Sequence, residues 1–170
     1  MIAESGSKTT GKNQTTMELE GDRGIVITRT FNAPQRVVFD AYTKPEFVRR
    51  WWAPKSLGVT IVSCDADVTV GGNYRYVLKP RDGHEFAFSG KYTEVTPHSR
   101  VAYTQIFEPM ADGGEATVTA TFEDLGEKTR LVSHALYPSK QVREMVLASG
   151  MEHGMRETMD LLDELVASLA

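Results

Sequence analysis

Between Val59 and Leu136 the chain carries six short runs in which apolar and polar residues alternate: "VTIVSCDADV", "GNYRYVLK", "EFAFSGKYTEV", "RVAYTQIF", "ATVTATFED" and "TRLVSHAL". A period of two marks strands with one face buried and the other wet. The breaks hold Gly71-Gly72, Asp82-Gly83, Pro97-His98, Asp112-Gly113-Gly114 and Gly126-Glu127. Links this short, made of turn-forming residues, join antiparallel neighbours, because a parallel crossover needs a dozen residues or more. The alternation also sorts the faces. Tyr74, Tyr76, Leu78, Phe86, Phe88, Gly90, Tyr92, Val101, Tyr103, Gln105, Phe107, Val118, Ala120 and Phe122 fall on one side, and Arg75, Lys79, Lys91, Arg100, Thr117, Thr119 and Thr121 on the other. An antiparallel meander with an aromatic face is the expectation.

The flanks supply what covers that face. "GIVITRTF" from Gly24 reads as a first strand, with Ile25, Ile27 and Phe31 on one side. "NAPQRVVFDAYT" then shifts to helical spacing, with Pro34 at the start and Val37, Val38, Ala41 and Tyr42 on one face. Thr43 and Glu46 fit a capping box that opens a second short helix through Trp51, stopped by Pro54 and Gly58. From Arg143 to Leu169, residues including Leu147, Met151, Met155, Met159, Leu162, Leu165 and Val166 share an arc about 160° wide. His153, Arg156, Asp160 and Asp163 occupy the rest. This predicts one amphipathic helix of roughly 40 Å, enough to cross a seven-stranded sheet. Residues 1–16, rich in Ser, Thr, Gly and Lys, are expected to be a mobile arm, with Met17 a possible native start; residues 17–170 form one domain.

Composition removes several classes of partner. With 19 basic against 23 acidic residues and a net charge of −4, the chain lacks the basic excess that gripping phosphates requires, so no nucleic-acid partner is expected. The single cysteine, Cys64, cannot form an internal disulfide, and no apolar run reaches the ~20 residues of a membrane span. The first 16 residues carry no signal-peptide core either. A cytoplasmic location follows as the expectation.

The order strand, two short helices, six antiparallel strands and a long C-terminal helix resembles the helix-grip fold of the START-like superfamily. The closer resemblance is to its branch named after the activator of the heat-shock-protein-ninety ATPase, in its single-domain bacterial kind. The resemblance rests on "RTFNAPQRVVFDAYTKPEFVRRWWAPK" (29–55), "DVTVGGNYRYVL" (67–78), "GKYTEVTPHSRVAYT" (90–104), "TVTATFED" with "KTRLVSH", and "GMEHGMRETMDLLDELVA" (150–167). It implies an α+β fold, a curved sheet wrapped around the C-terminal helix, with a hydrophobic tunnel that relatives use for lipids, sterols, hormones or polyketides.

The residues argue for a pocket independently. Tyr74, Tyr76, Tyr92 and Tyr103 bring four hydroxyls to the inner face with Gln105 beside them, more polarity than a dry core needs. Met151, Met155 and Met159 on the covering helix can repack around varied guests. Gly150 and Gly154 weaken that helix by about 1 kcal/mol each, a cost that fits close approach by a guest. Plain core packing is the competing account of each residue. The expected lining is Trp52, Tyr74, Tyr76, Phe88, Tyr92, Tyr103, Gln105, His134, Met151 and Met155. Adjacent helical residues point about 100° apart, so Trp51 and Trp52 divide the work: one anchors the short helices, the other borders the pocket entrance. Arg49 and Arg50 read as a solvated face.

Catalytic and cofactor motifs are missing: there is no HExxH, Cys-rich metal spacing, phosphate loop or nucleophile elbow. No catalytic residue, metal or cofactor is assigned. His84, His98 and His153 read as solvent-facing, whereas His134, on a late strand, turns inward if the register allows. Asp65 and Asp67 read as an exposed edge, and Cys64 as buried and inert on the opposite face. Three functions remain, in this order: a carrier or sensor of a small hydrophobic molecule, a cyclase- or hydrolase-like enzyme in the same cavity, and a chaperone-partner module. A homodimer through an edge strand or the outer face is compatible with all three.

Overall fold

Every alternating run is a strand in the computed structural model, which describes residues 14–170. The strands are β1 (Thr16–Glu20), β2 (Gly24–Phe31), β3 (Thr60–Ala66), β4 (Asn73–Lys79), β5 (Phe86–Thr96), β6 (Arg100–Phe107), β7 (Ala116–Asp124) and β8 (Thr129–Leu136). They form one antiparallel sheet in the order β1-β2-β8-β7-β6-β5-β4-β3. The chain runs as a meander from β3 to β8, and β2 then pairs with β8 along its whole length, from Gly24↔Leu136 to Phe31↔Thr129. The fold is the expected helix grip with one strand more than the seven anticipated.

The added strand is β1, which alternates Met17 and Leu19 with Glu18 and Glu20 and turns into β2 at Gly21, φ 57°. Of the expected arm, residues 1–13 lie outside the described residues. Its end belongs to the fold: Thr15 is buried and Thr16 opens β1.

Helix α1 (Gln35–Thr43) has Pro34 as its N-cap, and α2 (Pro45–Val48) follows directly. The expected capping box does not form. Thr43 closes α1, donating its hydroxyl to the Phe39 carbonyl at 2.8 Å, and Pro45, needing no N–H partner, starts α2. A 3₁₀ turn (Lys55–Leu57) ends at Gly58.

The single long C-terminal helix is in fact two, α3 (Lys140–Ala148) and α4 (Met151–Leu169). Gly150 separates them at φ 81°, a left-handed conformation that costs a side-chain-bearing residue energy. The glycine is thus required where the chain turns. Ser139 caps α3 by accepting the Val142 N–H at 3.1 Å. Arg143, buried, fastens α3 to the β1–β2 turn by donating to the carbonyls of Gly21 at 2.7 Å and Gly24 at 3.3 Å.

Helix α4 spans about 28 Å at 1.5 Å per residue and lays Met159, Leu162, Leu165 and Val166 into the core with Val38, Phe122 and Leu131. Full burial of an aliphatic side chain contributes roughly 1.5–3 kcal/mol, so these positions hold the grip closed.

Candidate functional site

The aromatic face converges under the N-terminal half of the fold's helical cover. β4 supplies Tyr74 and Tyr76, β5 Tyr92, and β6 Tyr103; their inward direction follows from the period of two in register pairs such as Tyr92↔Tyr103. α1 adds Tyr42 and Thr43, and the segment after α2 adds Trp52. With Val101 these residues line one enclosed cavity of about 10 Å³, room for about one water molecule. The open tunnel implied by the family resemblance is filled here by rings. The Tyr74 ring centre lies 5.0 Å from that of Tyr76 and 5.6 Å from those of Tyr92 and Tyr103.

Two of the hydroxyls meet each other and a third meets the backbone. Tyr42 and Tyr103 share a hydrogen bond of 2.7 Å. Tyr74 donates to the Thr104 carbonyl at 2.7 Å. That acceptor is free because the β5–β6 ladder skips from Ser89↔Ile106 to Tyr92↔Tyr103, the Lys91 N–H going instead to Thr104 Oγ1 at 3.0 Å. Gly90 makes the arrangement possible. A Cβ there would sit 1.8 Å from the Thr104 oxygen and 2.8 Å from Tyr74 Cε1.

Burial sets the chemistry. It pushes the Tyr92 phenol up to about 12, and it raises Tyr42, Tyr74, Tyr76 and Tyr103 as well, in each case because the phenolate is disfavoured away from water. All five phenols are neutral at physiological pH, and they offer hydrogen bonds, not a base. The Cys64 thiol, raised to about 11 chiefly by burial, points at the Pro45 carbonyl 3.6 Å away and has no thiolate character.

The two tryptophans take separate roles. Trp51 is buried and donates Nε1–H to the Ala41 carbonyl at 2.8 Å, which pins the short helices. Trp52 is half-buried and borders the cavity, its ring 5.0 Å from Tyr76 and 5.9 Å from Phe88. Beyond it, the turn at 54–58 closes against α4: Pro54 meets Gly154, and Glu157 accepts both the Ser56 N–H, at 2.8 Å, and the Ser56 hydroxyl. Those bonds hold the Glu157 carboxyl below its ordinary range.

The remaining expected residues stand apart. Phe88 packs on the far side of Trp52, against Phe107. Gln105 is half-buried on β6 and does not line the cavity. Met155 packs at the core's margin and Met151 is half-buried where α4 begins, and neither lines the cavity. His134 faces outward. On β8 the odd positions Thr129 and Leu131 are buried, so His134 falls on the outer face, where it pairs with Glu20. Gly154 packs against Pro54.

Arg49, Arg50, His84, His98 and His153 are exposed, as are Asp65 and Asp67. No group of three or more metal-ligating side chains occurs among the described residues, and no helix among them is long and apolar enough to cross a membrane. Tyr42, Thr43 and Val101 complete the cavity without having been anticipated as its lining, although helical spacing had placed Tyr42, and strand alternation Val101, on inner faces. An open trough of about 510 Å³ lies on the outer sheet face over Asp65, Lys91 and Glu115, with Arg75 and Glu108 joined across it at 2.8 Å.

Known proteins share this fold. The family model described as "Activator of Hsp90 ATPase homolog 1-like protein" matches residues 32–167. Among solved structures, a protein of Rhodobacter sphaeroides superposes with a TM-score of 0.84 at 22% identity, covering 91% of this chain and 99% of its own. One from Nitrosomonas europaea gives 0.78 at 23%, covering 88% and 97%. A solution structure from Staphylococcus epidermidis gives 0.75 at 28%, covering 91% and 95%. No curated protein matches the chain.

Proposed function

The chain belongs to the family of activator of Hsp90 ATPase homolog 1-like proteins, and from that premise we propose that it binds a small hydrophobic molecule between the sheet and the helical cover. The observation that carries this reading is the five-tyrosine cage, which brings five phenols, two of them hydrogen-bonded to each other, to a space lined otherwise by Thr43, Trp52 and Val101. An apolar filling would stabilise a core better than phenols whose hydroxyls must all find partners. Entry requires the cavity to widen from about 10 Å³, and the movable wall is Trp52 with the turn at 54–58. Cys64, the chain's only cysteine, is unpaired and buried, which suits a reducing cytoplasmic location.

The small cavity volume favours a second reading, a chaperone-docking module with a packed core. Enzymatic work in the cavity has less support, because its phenols stay protonated and no ionised group lines it.

A thermal-shift screen of the full chain against fatty acids, sterols and flavonoids tests the proposal. One chemical class should raise the melting temperature in step with the logarithm of its concentration, by about 5–10 °C at a hundred times its Kd. If no class does so, the docking module takes first place.

A further inference from the structure

We infer that the Trp52 indole occupies the position its ligand takes, and that the ligand is an uncharged, planar aromatic molecule. This rests on the binding function proposed above and specifies its chemistry. Trp52 sits among three aromatic partners, with ring centres 5.5 Å from Trp51, 5.0 Å from Tyr76 and 5.9 Å from Phe88, and interplanar angles of 63°, 64° and 79°. All three therefore meet the indole edge to face, a slot shaped for a flat ring system.

Nothing polar fastens the indole there. Trp51 donates its Nε1–H to Ala41, whereas no hydrogen bond to Trp52 Nε1 occurs among the described residues, and the side chain is only half-buried. Its backbone is held by one turn bond, from its N–H to the Val48 carbonyl at 3.0 Å. The contacts beyond it, Ser56 with Glu157, are exposed. A guest ring can thus replace the indole with the loss of packing alone, which the guest restores.

The charge of the guest follows from the walls. Tyr42, Tyr74, Tyr76, Tyr92 and Tyr103 are neutral, and no Lys, Arg, Asp or Glu lines the cavity. A carboxylate taken in would lose its water and meet no counter-charge. Two phenols that share one hydrogen bond use one of their two hydrogens, so the Tyr42–Tyr103 pair, 2.7 Å apart, keeps a donor and several lone pairs for a hydroxyl or carbonyl on the guest.

The test uses isosteric probes of opposite charge state, 2-naphthol and 2-naphthoate, titrated into the full chain by calorimetry and by ¹H–¹⁵N spectra. The two indole N–H signals are assigned with a Trp52→Phe variant. Naphthol should bind at least about tenfold tighter than naphthoate, because only the acid buries an unpaired charge. It should shift the Trp52 signal saturably while leaving that of Trp51 in place. Naphthoate binding as tightly as naphthol overturns the inference, as does naphthol binding with Trp52 unmoved. The calorimetric comparison stands even if Trp52→Phe does not fold. If neither naphthalene binds while the thermal screen finds another class, this inference falls alone; if the screen finds none, both readings fall.

Discussion

Arg29 Nη2 donates to Asp163 Oδ2 across 2.6 Å, joining the buried face of β2 to α4. Its Nη1 reaches Asp160 at 2.6 Å and Thr15 Oγ1 at 2.9 Å, so one guanidinium ties together the helix, the sheet and the residue before β1. The side chain of Arg29 is 1% exposed, that of Asp163 13% and that of Asp160 46%. Removing one partner of a buried pair strands the other's charge. Arg29→Ala should cost about 3–5 kcal/mol in denaturant unfolding, and Asp163→Ala a similar amount. Asp160→Ala should cost under about 1 kcal/mol, since Asp160 is half in water and Asp163 remains to pair with Arg29. Equal losses at Asp160 and Asp163 would show that the clasp is not organised by burial.

The Tyr42–Tyr103 hydrogen bond predicts non-additivity. Tyr42→Phe leaves the Tyr103 hydroxyl buried without its main partner and should cost about 1–3 kcal/mol; Tyr103→Phe should act alike. The double variant removes both groups and should cost less than the sum of the two. A double-mutant cycle giving no coupling would mean that water already serves these hydroxyls.

These features differ in how far they could be read from the sequence. The inner positions of β4 to β7 were legible because an antiparallel strand repeats every two residues and its turns are marked by Gly, Asp and Pro. Arg29 shows the limit of that rule. Alternation puts it inward with Ile25 and Phe31, but its partners lie about 130 residues away in the polar arc of a helix. The break at Gly150 escaped because Leu147, Met151 and Met155 keep helical spacing across it, and spacing carries no sign of φ. β1 is five residues long at a sheet edge, too short for its alternation to stand out. His134 depended on register, which a slip of one residue inverts. The cavity's volume depends on where Trp52 places its ring, and that is a matter of packing.

Two glycines should respond in opposite directions. At Gly90 an added Cβ would lie 1.8 Å from the backbone oxygen of Thr104, which cannot move without breaking the strand, so Gly90→Ala should unfold the protein or cost more than about 3 kcal/mol. At Gly154, inside α4, the nearest atom is Pro54 Cγ at 3.7 Å, an ordinary contact. Gly154→Ala should therefore stabilise by up to about 1 kcal/mol through helix propensity. Melting curves of the two variants check both signs; a loss at Gly154 would mean that the 54–58 turn presses on the helix more closely than its distances indicate.

The outer face predicts an acid dependence. Hydrogen bonds from Arg75, at 3.0 and 2.8 Å, are the main reason the Glu108 carboxyl falls from an ordinary value of 4.5 to about 2. A folded value below the unfolded one means that folding favours the ionised form. The contribution is thus fully present above about 4.5 and is lost as the pH falls from there toward about 2. Because the pair is exposed, water and salt reduce its size, and the effect should shrink further at high ionic strength. Chemical denaturation of wild type and Glu108→Gln across pH 2–7 is the measurement. The variant should be the less stable of the two above pH 5, and the difference should close as the pH approaches 2. A gap that stayed constant with pH would assign the loss to packing around residue 108 and not to its charge.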